Sequence, residues 1–109
     1  MAATVTKSGS PGTITDRIAL GATAGNATAI TFPRWAREIS VRIFASDNET
    51  QSAGFVSSTG TDGAAIDSNG IRVELGVPFM VNPSPGTLAT VLYVSADSAN
   101  DVAHVSVSA

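Results

Sequence analysis

The sequence predicts an all-β protein, an antiparallel β-sandwich of jelly-roll or Ig-like type with no significant helix, and three observations carry that reading. About seven to nine short runs alternate apolar with polar residues at period two. Clusters of Gly, Pro, Asn, Asp and Ser punctuate them roughly every 8–12 residues, the spacing of sandwich strands. No window places apolar residues at the ~3.6-residue period of an amphipathic helix. A closed barrel is the second choice. At 109 residues the chain has the size of one domain. It divides into an N-terminal arm or edge strand over residues 1–12 and a single β-sandwich domain over residues 13–109.

The arm holds a short candidate strand at residues 4–7 and then the turn cluster S-G-S-P-G. Such a strand docks either on its own sheet or on a neighbouring subunit. Residues 13–20 set Ile14, Ile18 and Leu20 on one face, with Asp16 interrupting it, and Thr13, Thr15 and Arg17 on the other. After the loop G-A-T-A-G-N, residues 27–32 bring Ile30 and Phe32 to a shared face. No helix follows those glycines, so they do not form a phosphate-binding loop. Pro33 fixes φ and suits the start of a single helical turn over residues 33–37. Then Ile39, Val41 and Ile43 alternate with Ser40, Arg42 and Phe44, a strand with one apolar residue on its polar side.

A polar turn at residues 46–52 leads to a short strand around Phe55 and Val56. The segment that follows, to Gly70, carries the turn pairs Asp62-Gly63 and Asn69-Gly70. It is long for a connection in a compact domain, and long loops are often functional. Ile71, Val73 and Leu75 form the next strand, and Val77, Phe79 and Val81 continue its parity beyond Gly76 and Pro78. A bulge at Gly76 or a strand that changes sheets accounts for this. After N-P-S-P-G-T, residues 88–96 are apolar on both faces, as in an interior strand covered on two sides or at an interface. Ala103, Val105 and Val107 define the last strand, alternating with His104, Ser106 and Ser108.

Composition narrows the function classes. Charged residues make up 14% of the chain, against ~25% in ordinary soluble domains, so Ser, Thr, Asn, Gly and Ala dress the surface. A net charge of −3 argues against a nucleic-acid partner. The absence of cysteine excludes a disulfide framework, a thiolate zinc site and a cysteine nucleophile. No apolar run has the length of a membrane span, and residues 1–10 lack the basic and apolar regions of a secretion signal, so synthesis in a cytoplasm without a signal peptide is expected.

No cofactor or small-molecule substrate is implied. His104 is the single histidine, on the polar side of its strand among hydroxyl residues, and reads as a surface or interface histidine rather than part of a triad. Buried at a contact, it would make assembly pH-sensitive. Asp62, Asp67 and Asn69, and the similar set Asp97, Asn100 and Asp101, carry oxygen ligands of the kind calcium takes, but match no EF-hand spacing. Turn chemistry explains both. Arg34, Trp35 and Arg37 could stack on bases; the plainer readings are a tryptophan capping the core under arginine stems, or a protein-binding hot spot. Phe44, on the polar side of an interior strand, requires a cover.

The segment I-T-F-P-R-W-A-R-E-I-S-V-R-I-F, residues 30–44, resembles an I-P-x-W-A-[KR]-x-I-[ST]-V-x-F pattern in β-sandwich modules of tailed-bacteriophage virion proteins. G-I-R-V-E-L-G-V-P-F-M-V (70–81) and L-Y-V-S-A-D-S-A-N-D-V-A-H-V-S-V (92–107) are similar to the end of small phage structural proteins. Glu38 departs from the pattern, which carries a basic or neutral residue there. The resemblance implies a non-enzymatic virion structural protein, expected to be a capsid decoration (cement) protein on the outer surface of the assembled head. The implied partners are the major capsid protein and further copies of this chain, as a homotrimer, with no nucleic acid or membrane. Candidate interface residues are Thr4, Val5, Lys7, Arg34, Trp35, Phe44, Asp62, Asp67 and His104, with most contact expected from the arm and residues 57–70, which look dispensable for the core. The alternatives are a tail-fibre or tail-associated receptor-binding β-module and a cellular adhesion or carbohydrate-binding domain; an enzyme is the least expected.

Overall fold

The computed structural model describes residues 3–4, 13–66, 70–83 and 89–109. Among them nine strands form, in order β1 (Ala3–Thr4), β2 (Thr13–Ala19), β3 (Thr28–Thr31), β4 (Glu38–Phe44), β5 (Gly54–Ser57), β6 (Ile71–Val73), β7 (Phe79–Val81), β8 (Val91–Ala96) and β9 (Val102–Ser108). One sheet runs β2-β9-β4-β7 and the other β1-β3-β8-β5-β6. The pairings β2 with β9, β3 with β8, β4 with β7 and β5 with β6 nest one inside the next. The chain is thus one long hairpin rolled over on itself, and the added pairings of β4 with β9 and β5 with β8 join the hairpin's layers into sheets. That is the jelly roll, so of the two sandwich types expected, the Ig-like one is set aside.

Period-two patterning places the core. Ile39, Val41 and Ile43 of β4 and Ala103, Val105 and Val107 of β9 are buried, and Ile30, Phe32, Val56, Leu92 and Val94 meet them from the opposite sheet. Phe32, fully buried, is the largest side chain at the centre; burying a phenylalanine contributes roughly 2–3 kcal/mol. Thr28, Ser57, Ser95 and Asp101 are buried polar residues, and no described buried side-chain nitrogen or oxygen lacks a hydrogen-bond partner. Asp101 accepts from the Ser52 hydroxyl, and its own carbonyl accepts from Leu20 N–H at 3.0 Å, so three connections are tied together at one end of the roll.

Several expectations gain detail. Ala3–Thr4 docks on its own chain, pairing with Ile30–Thr31, and does so in parallel. An edge strand that no tight turn joins to its neighbour is free of the antiparallel direction a hairpin imposes. Val5 and Lys7 lie outside the described residues. In place of the expected helical turn over residues 33–37 there is a four-residue β-turn, in which Ala36 N–H donates to Pro33 O at 3.1 Å. The chain changes sheets between β6 and β7 instead of bulging: Val77 N–H donates to Glu74 O at 3.2 Å, and Gly76 takes φ 73° at the position where a type II turn favours glycine.

The segment after β5, expected to be dispensable for the core, is hydrogen-bonded to β3 and to the residue before that strand. Ala27 N–H donates to Ala64 O at 2.7 Å, Gly63 N–H donates to Ala27 O at 2.8 Å, and the Asp62 carboxylate accepts from Ala29 N–H at 2.9 Å. It also passes over β8, where a Cβ added to Gly60 would sit 3.2 Å from the Tyr93 ring. Tyr93, on the outer side of β8, is thereby partly covered by the chain itself, and Val91 beside it is half-buried.

Gly54 shows how closely β5 and β8 approach. A Cβ there would overlap the Ser95 carbonyl oxygen and lie 2.9 Å from Ala96 Cα, both backbone atoms that cannot swing aside. Gly54→Ala is expected to destabilise the fold by about 3 kcal/mol, the upper end of ordinary overpacking. Gly60→Ala, which meets only the Tyr93 side chain, should cost under ~1 kcal/mol. Urea denaturation of the two variants beside the parent chain checks the contrast.

Candidate functional site

A group of polar side chains shares the outer face of the β2-β9-β4 sheet. There the seven residues of β9 pair on one side with residues 13–19 and on the other with residues 38–44. Inward positions supply core, so the outward ones line up in rows across three strands. Arg17, His104 and Arg42 form one row, and Thr15, Ser106 and Ser40 form the next. Met80 of β7 extends the second row beyond Ser40. These rows floor a concavity of about 680 Å³, lined also by Asp16, Phe44 and Val105.

His104 is held from two directions. Its ring stacks on Phe44 with centroids 4.1 Å apart and planes 20° from parallel. Its Nε2 lies 2.9 Å from Asn48 Oδ1, which can only accept, so Nε2 carries the hydrogen and Nδ1 of the neutral ring keeps its lone pair. Asn48 reaches this place because the turn after β4 is tightly built. Asp47 accepts from Glu49 N–H and Thr50 N–H, each at 2.8 Å, and from the Thr50 hydroxyl at 2.6 Å. Those bonds, the Thr50 hydroxyl first, hold the Asp47 carboxyl down to about 2. Asn48 itself sits at φ 62°, a left-handed conformation that asparagine tolerates.

Burial first, and the positive charge of Arg17 second, push the His104 pKa below its ordinary 6.5. Neither the Arg17 nor the Arg42 guanidinium is paired with an acid among the described residues. Arg72, on the other sheet, is the contrast. It forks onto Asp97 at 2.8 and 2.6 Å, and its guanidinium carbon lies 5.1 Å from the centre of the Phe55 ring. Asp16, the one carboxylate lining the concavity among the described residues, turns an oxygen back to accept Arg17 N–H at 2.8 Å.

The other candidate residues scatter. Trp35 is half-buried and packs against the core from the turn after Phe32, as a capping tryptophan does, while Arg34 and Arg37 are exposed. The Arg37 N–H donates to Ser108 O at 2.9 Å and pins this turn to the end of β9. Asp62 is exposed in the loop it ties to β3, far along the chain from the His104 row. Thr4 lies in β1, and Asp67 is outside the described residues. Phe44 finds its cover within the chain, in His104. Among the described residues no three His, Asp or Glu side chains gather as metal ligands would. Asp97 is engaged by Arg72 and Asp101 by Ser52, so those acids tie the turn after β8 to β6 and to the segment before β5.

Sequence reasoning placed Arg17 and Arg42 on polar faces but assigned them no role. Alternation shows that each points outward; only the pairing register makes them neighbours of His104. No protein-family model, curated protein or solved structure matches this chain.

Arg17→Gln removes the second cause of the depressed His104 pKa and leaves the larger one, burial. The His104 pKa is expected to rise towards 6.5 without reaching it. In the parent chain the folded protein binds fewer protons than the unfolded chain between the folded His104 pKa and about 6.5. This group therefore makes stability increase with pH through that window, with its penalty fully present below the folded pKa. An NMR titration of the imidazole in both proteins measures the shift, and a smaller pH slope of stability in Arg17→Gln checks the sign.

Proposed function

We propose that this chain is a non-enzymatic structural protein of a bacteriophage particle, a capsid decoration protein that binds the outer surface of the assembled head and stabilises it. The observation that carries this reading is the apolar edge where β6 passes to β7. Ile71, Leu75, Val77 and Met80 are 57, 60, 57 and 50% exposed there. Both strands are the outermost of their sheets, so unpaired backbone borders the aliphatic side chains. Clustered exposed apolar residues beside open strand edges suit a surface that a protein partner covers. The stretch is also residues 70–81, one of the segments whose sequence resembles phage structural proteins. A jelly roll is among the folds of viral capsid domains, and fold alone assigns no function, so the weight rests on the edge and the resemblance.

In this reading the partners are the major capsid protein and further copies of the chain, associated as a homotrimer. Binding only the completed shell stabilises it by mass action, and many copies acting together add avidity. One observation favours a second reading, a tail-associated receptor-binding module: the concavity floored by His104 has the size of a ligand site.

Imaging of purified particles tests the proposal. Density for this chain at three-fold or quasi-three-fold positions of the head is the expected result, and density confined to the tail overturns it in favour of the second reading. A Leu75→Ser, Val77→Ser double variant alters side chains outside the core. It should fold normally and bind shells at least ~10-fold more weakly, a loss of about 1.4 kcal/mol or more. A chain lacking residues 1–12 should fold, since the eight-stranded roll is complete from Thr13 onward, and should no longer bind shells.

A further inference from the structure

We propose that the concave outer face of β2, β9 and β4 is a binding site for a tetrahedral oxyanion, a phosphate or sulfate group, held by Arg17 and Arg42 on either side of His104. The site stands apart from the decoration reading and does not depend on it. Its basis is the double register of β9, which puts Arg17 and Arg42 opposite the same residue on its two sides. Two strand spacings separate them, about 10 Å between backbones, a gap that two arginine side chains can close from opposite sides onto one group. Hydroxyls of Thr15, Ser106 and Ser40 stand one repeat further along the same face and line the same concavity.

Charge makes the arrangement informative. The chain has a net charge of −3 and few arginines, yet two of them share one concavity without an acidic partner among the described residues. Like charges brought together on a sheet face are unfavourable unless something offsets them. Elsewhere the fold does offset such a charge, as Asp97 does for Arg72. Here Asp16 is the acid on the rim, and its Oδ1 is engaged by the backbone N–H of Arg17. The groups facing His104 are Arg17 from β2, Arg42 and Phe44 from β4, and Asn48 from the following turn, whose Asp47 is bound to Thr50. None of these neighbours supplies a negative charge to the centre of the row.

The donors also indicate the shape of the ligand. A planar carboxylate is satisfied by one arginine fork. Two guanidinium groups approaching from opposite strands, with hydroxyls on a third side, match an oxyanion whose oxygens point in several directions. The neutral His104 ring offers Nδ1 as an acceptor to a protonated phosphate oxygen, and once protonated it becomes a further donor. The concavity of about 680 Å³ exceeds the volume of a bare anion and lies within the range of sites for small organic ligands. Phe44 walls one end, so a phosphate or sulfate ester can lay its organic body there.

The test is an NMR titration of the whole chain with sodium sulfate, at constant ionic strength set with sodium chloride. Sulfate keeps its charge across neutral pH, which separates anion binding from ligand protonation. Saturable shifts at Arg17, Arg42 and His104 are expected, with a dissociation constant on the order of 1 mM. Saturation should raise the His104 pKa, because a bound anion favours imidazolium. Arg17→Gln and Arg42→Gln should each weaken binding about 10-fold, a change of one decade, while Arg72→Gln, on the other sheet, leaves it unchanged. Circular dichroism of the variants confirms that they are folded. Glucose 6-phosphate binding more tightly than inorganic phosphate supports an ester ligand reaching Phe44; equal binding supports the free anion. Shifts that grow linearly with sulfate, or the same affinity in the Arg17 and Arg42 variants as in the parent, overturn the site. Acetate binding as tightly as sulfate overturns the tetrahedral assignment.

Discussion

Every residue of β9 from Val102 to Ser108 is paired on both sides, with β2 on one and β4 on the other, and much of the molecule depends on that register. Side chains of a strand alternate between faces, so slipping the pairing by one residue would exchange the buried set for the exposed one. In the native register Ala103, Val105 and Val107 enter the core beside Ile39, Val41 and Ile43. A slip of β9 would instead bury His104, Ser106 and Ser108, polar groups with no partners inside. The cost of burying them unpaired, ~1–3 kcal/mol each, is what holds the register. The same constraint fixes the outer face, because the row that contains Arg17, His104 and Arg42 is the complement of the row that fills the core.

The nested pairings impose a second dependence, on the connections. A rolled hairpin brings the ends of many strands together, and each connection must satisfy its backbone groups there. Asp101 does this at one end through Ser52 and Leu20, and the loop around Asp62 does it beside β3. These acids looked like candidate ligands because turns use Asp and Asn for the same reason that calcium does: short side chains with oxygen acceptors. In this fold the acceptors are occupied by the protein's own N–H and O–H groups.

What could be read from the sequence follows from the range of the interactions involved. The strands around Ile39 and Ala103 were legible because alternation is local, and Gly76 marked a break because glycine supplies a φ other residues resist. The run Ile71, Val73, Leu75 misled: β6 stops at Val73, and Ile71 and Leu75 lie exposed at a sheet edge where alternation does not imply burial. The sandwich followed from their number and spacing. Jelly roll over Ig-like was not legible, since it depends on which strand pairs with which across nearly the whole chain. The concave face was hidden for the same reason: residues 17 and 42 read as ordinary outward positions and residue 104 as an isolated surface or interface histidine, and the row exists only in the register. Phe44 was the one local clue. Its mismatch with the polar face required a cover, and the cover is His104.

The two surfaces singled out are contiguous. Met80, the last residue in the row of Thr15, Ser106 and Ser40, belongs to the apolar edge and also borders the hydroxyl-lined face. The two surfaces differ in physical character. An aliphatic edge contributes area and little directional preference, whereas paired guanidinium groups fix orientation and reject the wrong charge. A ligand held by the arginine row would therefore gain selectivity there, and a partner covering the edge would gain affinity from buried area. β4 carries Arg42 on its outer side and pairs with β7, the strand that holds Met80, so it joins the two surfaces. Changing the outward side chain of residue 42 leaves the inward Val41 and Ile43 in place, so the sheet can alter what it binds without altering what holds it together.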